Sequence, residues 1–351
     1  MTYPSLPKHI LEILQEGGVI PAHPLALHED GTLDEVHQRL LTRYYLEAGA
    51  IGVAVGVHTT QFEIRDVGLY EPVLRLAKEV IDEHPRSDEI VRIAGVCGPT
   101  EQAVVEAKIA RDLGYHMVLV SVGGLNISEA ELIARSQAIA QVLPLFGFYL
   151  QPAVGGRLLS CDYWRRLADI PNLYAVKIAP FDRYETIHTV RAIMDSPRWQ
   201  EIALYTGNDD TIVADLLTTV RRSVNGEHRE KHIVGGLLGQ WAVGTNRAVQ
   251  LMNKIKAVRG QDQVPRELLQ LGWELTDTNG ALFDAKNNFK GCIAGIHQVL
   301  FEQGLMENIR CLNPNETLSP GQLEEIQRVR NEYPHLHDDE FIKENIDNWL
   351  R

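Results

Sequence analysis

Short apolar runs alternate along the chain with longer amphipathic stretches, the pattern of parallel strands covered by helices. Eight such runs are found: Val19–Leu27, Ile51–Val57, Ile90–Val96, Met117–Val122, Leu145–Gln151, Leu173–Ile178, Ile202–Thr206 and His232–Leu238. Most are nearly continuous in Val, Ile, Leu, Ala and Tyr, as strands buried on both faces require. Between them the spacing predicts helices such as Leu33–Glu47, with Leu33, Val36, Leu40, Leu41 and Tyr44 on one face, and Thr100–Leu113, opening on Pro99-Thr100. Units of about 30 residues repeated in this way predict a (β/α)8 barrel over residues 1–260. After Arg259-Gly260 the strand signals stop. Helical segments follow at Pro265–Leu275, Ala281–Gln303, Pro320–Glu332 and Asp339–Leu350, so residues 261–351 are expected to form a helical extension packed on the barrel without a flexible linker.

Composition narrows the partners. The 34 Lys and Arg against 47 Asp and Glu leave a net charge of −13, which argues against nucleic acid or an anionic membrane as partner. No stretch approaches the ~18 consecutive apolar residues of a membrane span, and the first residues lack the basic and apolar regions of a signal peptide. Cys97, Cys161, Cys292 and Cys311 are scattered without CxxC spacing, so neither a disulfide framework nor a zinc site is suggested and a cytoplasmic location is expected. The polar runs Glu227–His232 and His335–Glu340 are read as solvated surface rather than metal sites. No GxGxxG or P-loop is formed around Gly235, Gly236 and Gly239, so no nucleotide site is indicated.

In a (β/α)8 barrel, functional residues sit at the C-terminal ends of the strands. Lys177 interrupts the apolar run Leu173-Tyr174-Ala175-Val176-Lys177-Ile178-Ala179, where an uncompensated charge costs several kcal/mol. One reason for a lysine there is chemical: a desolvated amine has a lowered pKa and attacks a ketone in its neutral form. The alternative is a strand-end lysine that reaches solvent or pairs with Asp182. Tyr149, at the end of the neighbouring run, is either a proton relay or a packed phenol with an outward hydroxyl. Thr59 and Thr60 offer hydroxyls and backbone N–H groups to a carboxylate, although threonine is common in strands and turns.

Several segments jointly resemble the dihydrodipicolinate synthase and N-acetylneuraminate lyase family of class I aldolases. They are the opening Gly18-Val19-Ile20-Pro21-Ala22-His23-Pro24-Leu25, then Glu47-Ala48-Gly49-Ala50-Ile51-Gly52, Ala94-Gly95-Val96-Cys97-Gly98-Pro99-Thr100 and Gly207-Asn208-Asp209-Asp210, with Tyr149 and Lys177 lying 28 residues apart. The resemblance implies a Schiff-base lyase acting on pyruvate or another 2-oxo acid, in which Lys177 forms the imine, Tyr149 relays protons and Thr59 links Tyr149 to the substrate. It further implies that His58 and Thr60 flank the substrate carboxylate, that Gly207, Asn208 and Gly235 line the pocket wall, and that Arg157 contributes to substrate binding. No metal or organic cofactor is implied, and a homotetramer or homodimer is expected. Three departures argue against the lysine-biosynthetic synthase itself. Val120-Ser121-Val122-Gly123-Gly124-Leu125 replaces that enzyme's tyrosine pair, Arg157 is displaced by three residues from its usual place after the strand-five tyrosine, and Ile178-Ala179-Pro180-Phe181 follows the lysine. The rivals are a metal-dependent barrel aldolase or isomerase, for which only His58 and Asp209 or Asp210 qualify as ligands, and a barrel retained solely to bind a small molecule.

Overall fold

The computed structural model describes residues 3–350. Its strands are β1 (Val19–Pro21), β2 (Gly52–Val55), β3 (Val91–Val96), β4 (Met117–Val120), β5 (Leu145–Leu150), β6 (Leu173–Ala179), β7 (Ala203–Thr206), β8 (Thr219–Val224) and β9 (Glu227–Leu238). All but β8 run parallel in the order β1-β9-β7-β6-β5-β4-β3-β2, and a parallel bridge from Ala22 to Ala54 closes β1 onto β2. The fold is a (β/α)8 barrel surrounded by helices and followed by a C-terminal helical extension. Local chemistry fixes where the outer helices begin. Asp34 caps Glu35–Glu47 by accepting from the His37 N–H, and Ser128 with Glu131 forms a capping box at Glu129–Ala140.

The strands alternate between two apolar layers, as the two-residue side-chain period demands. Ile93, Met117, Leu119, Phe146, Phe148, Ala175, Ala179, Ala203 and Tyr205 fill the barrel interior, and the helix Lys8–Glu16 plugs its N-terminal end with Ile10 and Leu14. The Tyr205 hydroxyl donates to the Leu14 carbonyl at 2.7 Å and ties the plug in place. This helix escaped the sequence reading because its apolar face is only two turns long.

A second difference lies at β8 and β9, which form an antiparallel hairpin from Thr219↔His232 to Val224↔Glu227. Asn225 and Gly226 turn it with φ of 52° and 84°, the positive values that an Asn-Gly hairpin turn uses. The run Glu227–His232 is therefore the first half of β9 and only partly solvated. Arg229 and Lys231 are buried: Arg229 Nη1 donates to the Ser196 carbonyl at 3.1 Å, Lys231 donates to the Trp199 carbonyl, and both cations face the Trp199 ring.

The extension comprises the helices Arg266–Leu282, Cys292–Glu302, Gln322–Glu332 and Asp339–Trp349. The break expected after Leu275 falls instead at residues 283–291, because Thr276, Thr278 and Asn279 are accommodated inside the first helix and bond inward or to the barrel. Leu275, Ile296, Ile326 and Trp349 join the same apolar cluster as the barrel's outer helices, and Tyr44 donates to Asp338 at 2.7 Å. Among the described residues, no helix is long and apolar enough to cross a membrane.

A buried ion pair secures the C-terminal ends of β2 and β3. Arg65 meets Glu106 at 3.1 Å and also donates to the Gly56 and Gly95 carbonyls at 3.1 and 3.0 Å. Removing one partner leaves an uncompensated buried charge, which typically costs about 3–5 kcal/mol. Glu106→Ala is accordingly expected to lower the unfolding midpoint far more than Glu71→Ala, whose carboxylate sits in an exposed pair with Arg75. Parallel thermal denaturation of the two variants checks this.

Candidate active site

At the C-terminal mouth of the barrel lies a cleft of about 560 Å³ open to solvent. Lys177 projects into it from β6, buried among apolar neighbours, with Nζ 4.5 Å from the centroid of the Phe148 ring. Burial drives the Lys177 pKa below 10.5 more strongly than the nearby Asp209 charge pulls it up. The same burial raises the Asp209 carboxyl above its ordinary range against the opposing pull of Lys177. Asp209 accepts one long hydrogen bond, 3.4 Å, from the Gln240 N–H. Burial thus disfavours the charged form of both groups, and their mutual attraction offsets it only in part.

Of the residues singled out in the sequence, His58, Thr59 and Gly207 join Lys177 in lining the cleft. Burial, with the Lys177 charge adding to it, lowers the His58 pKa to about 4 and keeps its ring neutral. Thr59 donates to the His23 carbonyl at 3.2 Å. A Cβ on Gly207 would lie 2.5 Å from Lys177 Cε, so the absence of a side chain there makes room for the lysine.

The remaining candidates lie elsewhere. Tyr149, expected within reach of Lys177, faces the outer helices: its hydroxyl donates to Glu185 at 2.8 Å and its ring packs on Trp164. The reason is the alternation of β5, which sends Phe146, Phe148 and Leu150 inward and Leu145 and Tyr149 outward, while the one-residue irregularity of this pair falls in β6. Leu145 pairs with Leu173 but Phe146 pairs with Ala175, so Phe148 lies level with Lys177 and Tyr149 with Ile178. The extra residue in β6 therefore bears on the face that Lys177 takes and not on that of Tyr149. Thr60 is a buried pin below the cleft, accepting from the Gly56 and Val57 N–H groups at 3.0 and 3.2 Å and donating to the His23 carbonyl. Arg157 is spent on the Leu125 and Ile127 carbonyls at 3.3 and 2.7 Å. Gly235 allows close packing against the Gly18 backbone, and Gly239 takes the corresponding position in the cleft wall. Asn208 lies behind the wall, donating to Thr186 and Asp215 at 3.0 Å and accepting from the Phe181 N–H at 3.0 Å.

Sequence reasoning missed most of the cover. Phe181, Phe283, Phe289 and Cys292 line the cleft, three of them from the extension, and no local motif marks them. Asp209 stood out only as a weak metal ligand, though its place beside Gly207 at a strand end was the available signal. The run His335–Glu340 is ion-paired rather than convergent, with His335 bonded to Glu274 at 2.8 Å and Asp339 to Arg330 at 2.9 Å. Among the described residues one group has metal-ligating potential, His28, Asp34 and Glu307, whose atoms lie within 4.8 Å of one another. It is not part of the cleft lining, and His28 already pairs with Glu307 at 2.8 Å.

Fold and cleft together define a (β/α)8 barrel with a buried amine at its C-terminal mouth. The Dihydrodipicolinate synthetase family model matches residues 15–255, and the chain belongs to that family. N-acetylneuraminate lyase 2 of Escherichia coli O6:H1 is 23% identical over 326 residues, covering 92% of this chain and 95% of its own length. A 4-hydroxy-tetrahydrodipicolinate synthase of Aromatoleum aromaticum is 31% identical over 206 residues, 57% of this chain and 66% of its own. These named relatives are lyases. Among solved structures, dihydrodipicolinate synthase from Acinetobacter baumannii complexed with pyruvate aligns with a TM-score of 0.73 at 21% identity, over 91% of this chain and 99% of its own. A monomeric dihydrodipicolinate synthase variant gives 0.73 at 20% identity, over 92% and 98%.

The electrostatics of the cleft are directly testable. The fraction of neutral Lys177 amine rises with pH through a midpoint set by burial, so competitive acetylation of Lys177 is expected to have a midpoint well below 10.5. Asp209→Asn removes the charge that favours the ammonium and is expected to lower that midpoint further. A midpoint at the ordinary lysine value would contradict the burial argument. Mass spectrometry of the acetylated protein reads both.

Proposed function

We propose that this barrel is a Schiff-base lyase that holds pyruvate, or a 2-oxo acid containing it, as an imine on Lys177. The observation that carries the proposal is a buried lysine of lowered pKa in a cleft at the barrel mouth, in a chain of a family whose named relatives are lyases. Neutral Nζ attacks the carbonyl carbon and the C–N bond forms. One amine proton and one proton from Asp209 leave with the carbonyl oxygen as water, so the imine retains one N–H and a positive charge. That cation accepts the electron pair of the adjacent C–C bond as it breaks, the Asp209 carboxylate takes the hydroxyl proton of the departing half, and an aldehyde is released. Protonation and hydrolysis of the enamine return pyruvate and the free amine, and the reverse sequence forms the bond. His58 and Thr59, which line the cleft, serve the substrate carboxylate.

Asp209 takes the role that Tyr149 would have had, because it shares the cleft with Lys177 and its raised pKa suits a group that both gives and accepts protons near neutrality. No cofactor enters this scheme. The departures around Gly123-Gly124 and Arg157 favour a substrate other than that of the lysine-biosynthetic synthase. Assembly as a homotetramer or homodimer and a cytoplasmic location belong to the same proposal, the latter in keeping with four free cysteines. The outward-facing Tyr149 is the one observation that would favour a barrel that binds without turnover.

Incubation with pyruvate and borohydride is expected to attach a reduced three-carbon adduct to Lys177, absent in Lys177→Ala. Turnover in that variant, or an unmodified lysine in the native protein, would refute imine chemistry. Asp209→Asn should slow adduct formation by about 10²-fold or more, the usual scale for a positioned acid–base group. Tyr149→Phe should leave the rate nearly unchanged, with a stability loss of about 1–3 kcal/mol from its two hydrogen bonds, to Glu185 and from the Leu159 N–H. The reverse ranking would restore the tyrosine relay.

A further inference from the structure

The cleft has a pronounced chemical asymmetry. Its polar lining groups are Lys177, Asp209, His58, Thr59 and Gln151, with Cys292 bearing a thiol whose pKa burial pushes up. A 2-oxo acid engages the first four of these. Beyond them the wall is Leu150, Val154, Phe181, Phe283 and Phe289. Among the described residues no arginine lines the cleft: Arg157 bonds to backbone carbonyls, Arg65 pairs with Glu106, and Arg183 pairs with Asp215.

This wall is held in unfavourable backbone geometry. Phe181 and Phe289 adopt φ of 53° and 63°, the left-handed region that bulky side chains rarely enter, and their rings meet edge to face at 5.5 Å. Such conformations cost about 1–3 kcal/mol each and persist only where the surroundings enforce them. The surroundings do so here. Asn208 accepts from the Phe181 N–H at 3.0 Å. Asp284 accepts from Asn287 at 2.6 Å, from the Gly291 N–H at 3.1 Å and from Ser319 at 2.5 Å, and so closes the loop that carries Phe289. Simple core packing does not require two strained phenylalanines at a solvent-open mouth.

We infer that the half of the substrate beyond the 2-oxo acid is uncharged and apolar, an aryl or branched-alkyl group seated against Phe181, Phe283 and Phe289. The inference rests on the lyase proposal only for which end of the substrate meets Lys177. An anionic tail would find no cation and would face the Asp209 carboxyl. A polyhydroxylated tail would leave its hydroxyls against rings, losing hydrogen bonds to water without replacement. A flat aromatic group instead completes the edge-to-face arrangement that the two rings begin.

Binding to Lys177→Ala tests the wall separately from imine chemistry. Calorimetry would compare 4-phenyl-2-oxobutanoate, 2-oxoglutarate and 3-deoxy-2-oxogluconate, which share the 2-oxo acid and differ only in the tail. The phenyl compound is expected to bind about 10-fold or more tightly than the other two, the scale on which apolar pockets discriminate. Phe289→Ala in the same background should remove most of that advantage, and Phe289→Leu should keep part of it while controlling for folding. Equal affinities, undetectable binding of the phenyl compound, or preference for the anionic or polyhydroxylated tail would overturn the inference. Failure of the lyase proposal would appear elsewhere, as an unmodified Lys177 after pyruvate and borohydride in the native protein.

Discussion

The cleft depends on one costly placement, an amine inside the barrel above the ring of Phe148. A fully charged ammonium there would lose its hydration for little in return, with a penalty of several kcal/mol. The chain reduces that cost in two ways. Lys177 is shifted toward its neutral form, and Asp209 lies close enough for its carboxylate, where ionised, to attract the ammonium. Neighbouring residues conform to the placement. Gly207 is bare beside the lysine stem, and the neutral His58 adds no second cation to the pocket.

Covering that amine falls to the extension. The loop between its first two helices brings Phe283 and Phe289 over the cleft and the second helix opens there with Cys292, while Asn279 and Thr276 donate to the Asp209 and Asp210 carbonyls at 2.7 and 2.6 Å. The same helix therefore shapes the cover and fixes the loop that carries the acid. Loosening it would both expose Lys177 and release Asp209, so barrel and extension shape the cleft together.

What could be read from the sequence follows the range of each interaction. Apolar runs and helix caps are local, and the eight barrel strands, the outer helices and the helical extension are legible in them as elements, though the end of β1, the start of β9 and the break within the extension were misplaced by five residues or more. Lys177 was legible because a charge in an apolar run is a local anomaly. Phe181 and Phe289 were not, since the left-handed backbone that aims them is enforced by Asn208 and by Asp284 with Ser319, contacts that cross the fold. Arg157 and Gly235 were misplaced for a related reason: a motif match records residue type, whereas both residues meet backbone atoms of segments distant in the chain, Leu125 and Ile127 for one and Gly18 for the other.

Tyr149 illustrates the limit most sharply. Its 28-residue separation from Lys177 is retained, but separation along the chain does not decide which face of a strand a residue occupies. That is decided by the alternation along β5, which places Phe148 inside level with Lys177 and Tyr149 outside. Phe148 gives Lys177 an aromatic face, and Tyr149 finds Glu185 and the Leu159 N–H outside. Once the phenol leaves the interior, the proton-carrying group nearest in chemistry is a carboxyl on the loop after β7. A carboxyl with an ordinary pKa would be a poor proton donor near neutrality, so the burial that lowers the lysine must also raise the acid. Both shifts have the same source, the exclusion of water by the barrel wall and the phenylalanines above it. The apolar cover and the two opposing pKa shifts thus belong to one buried corner of the cleft.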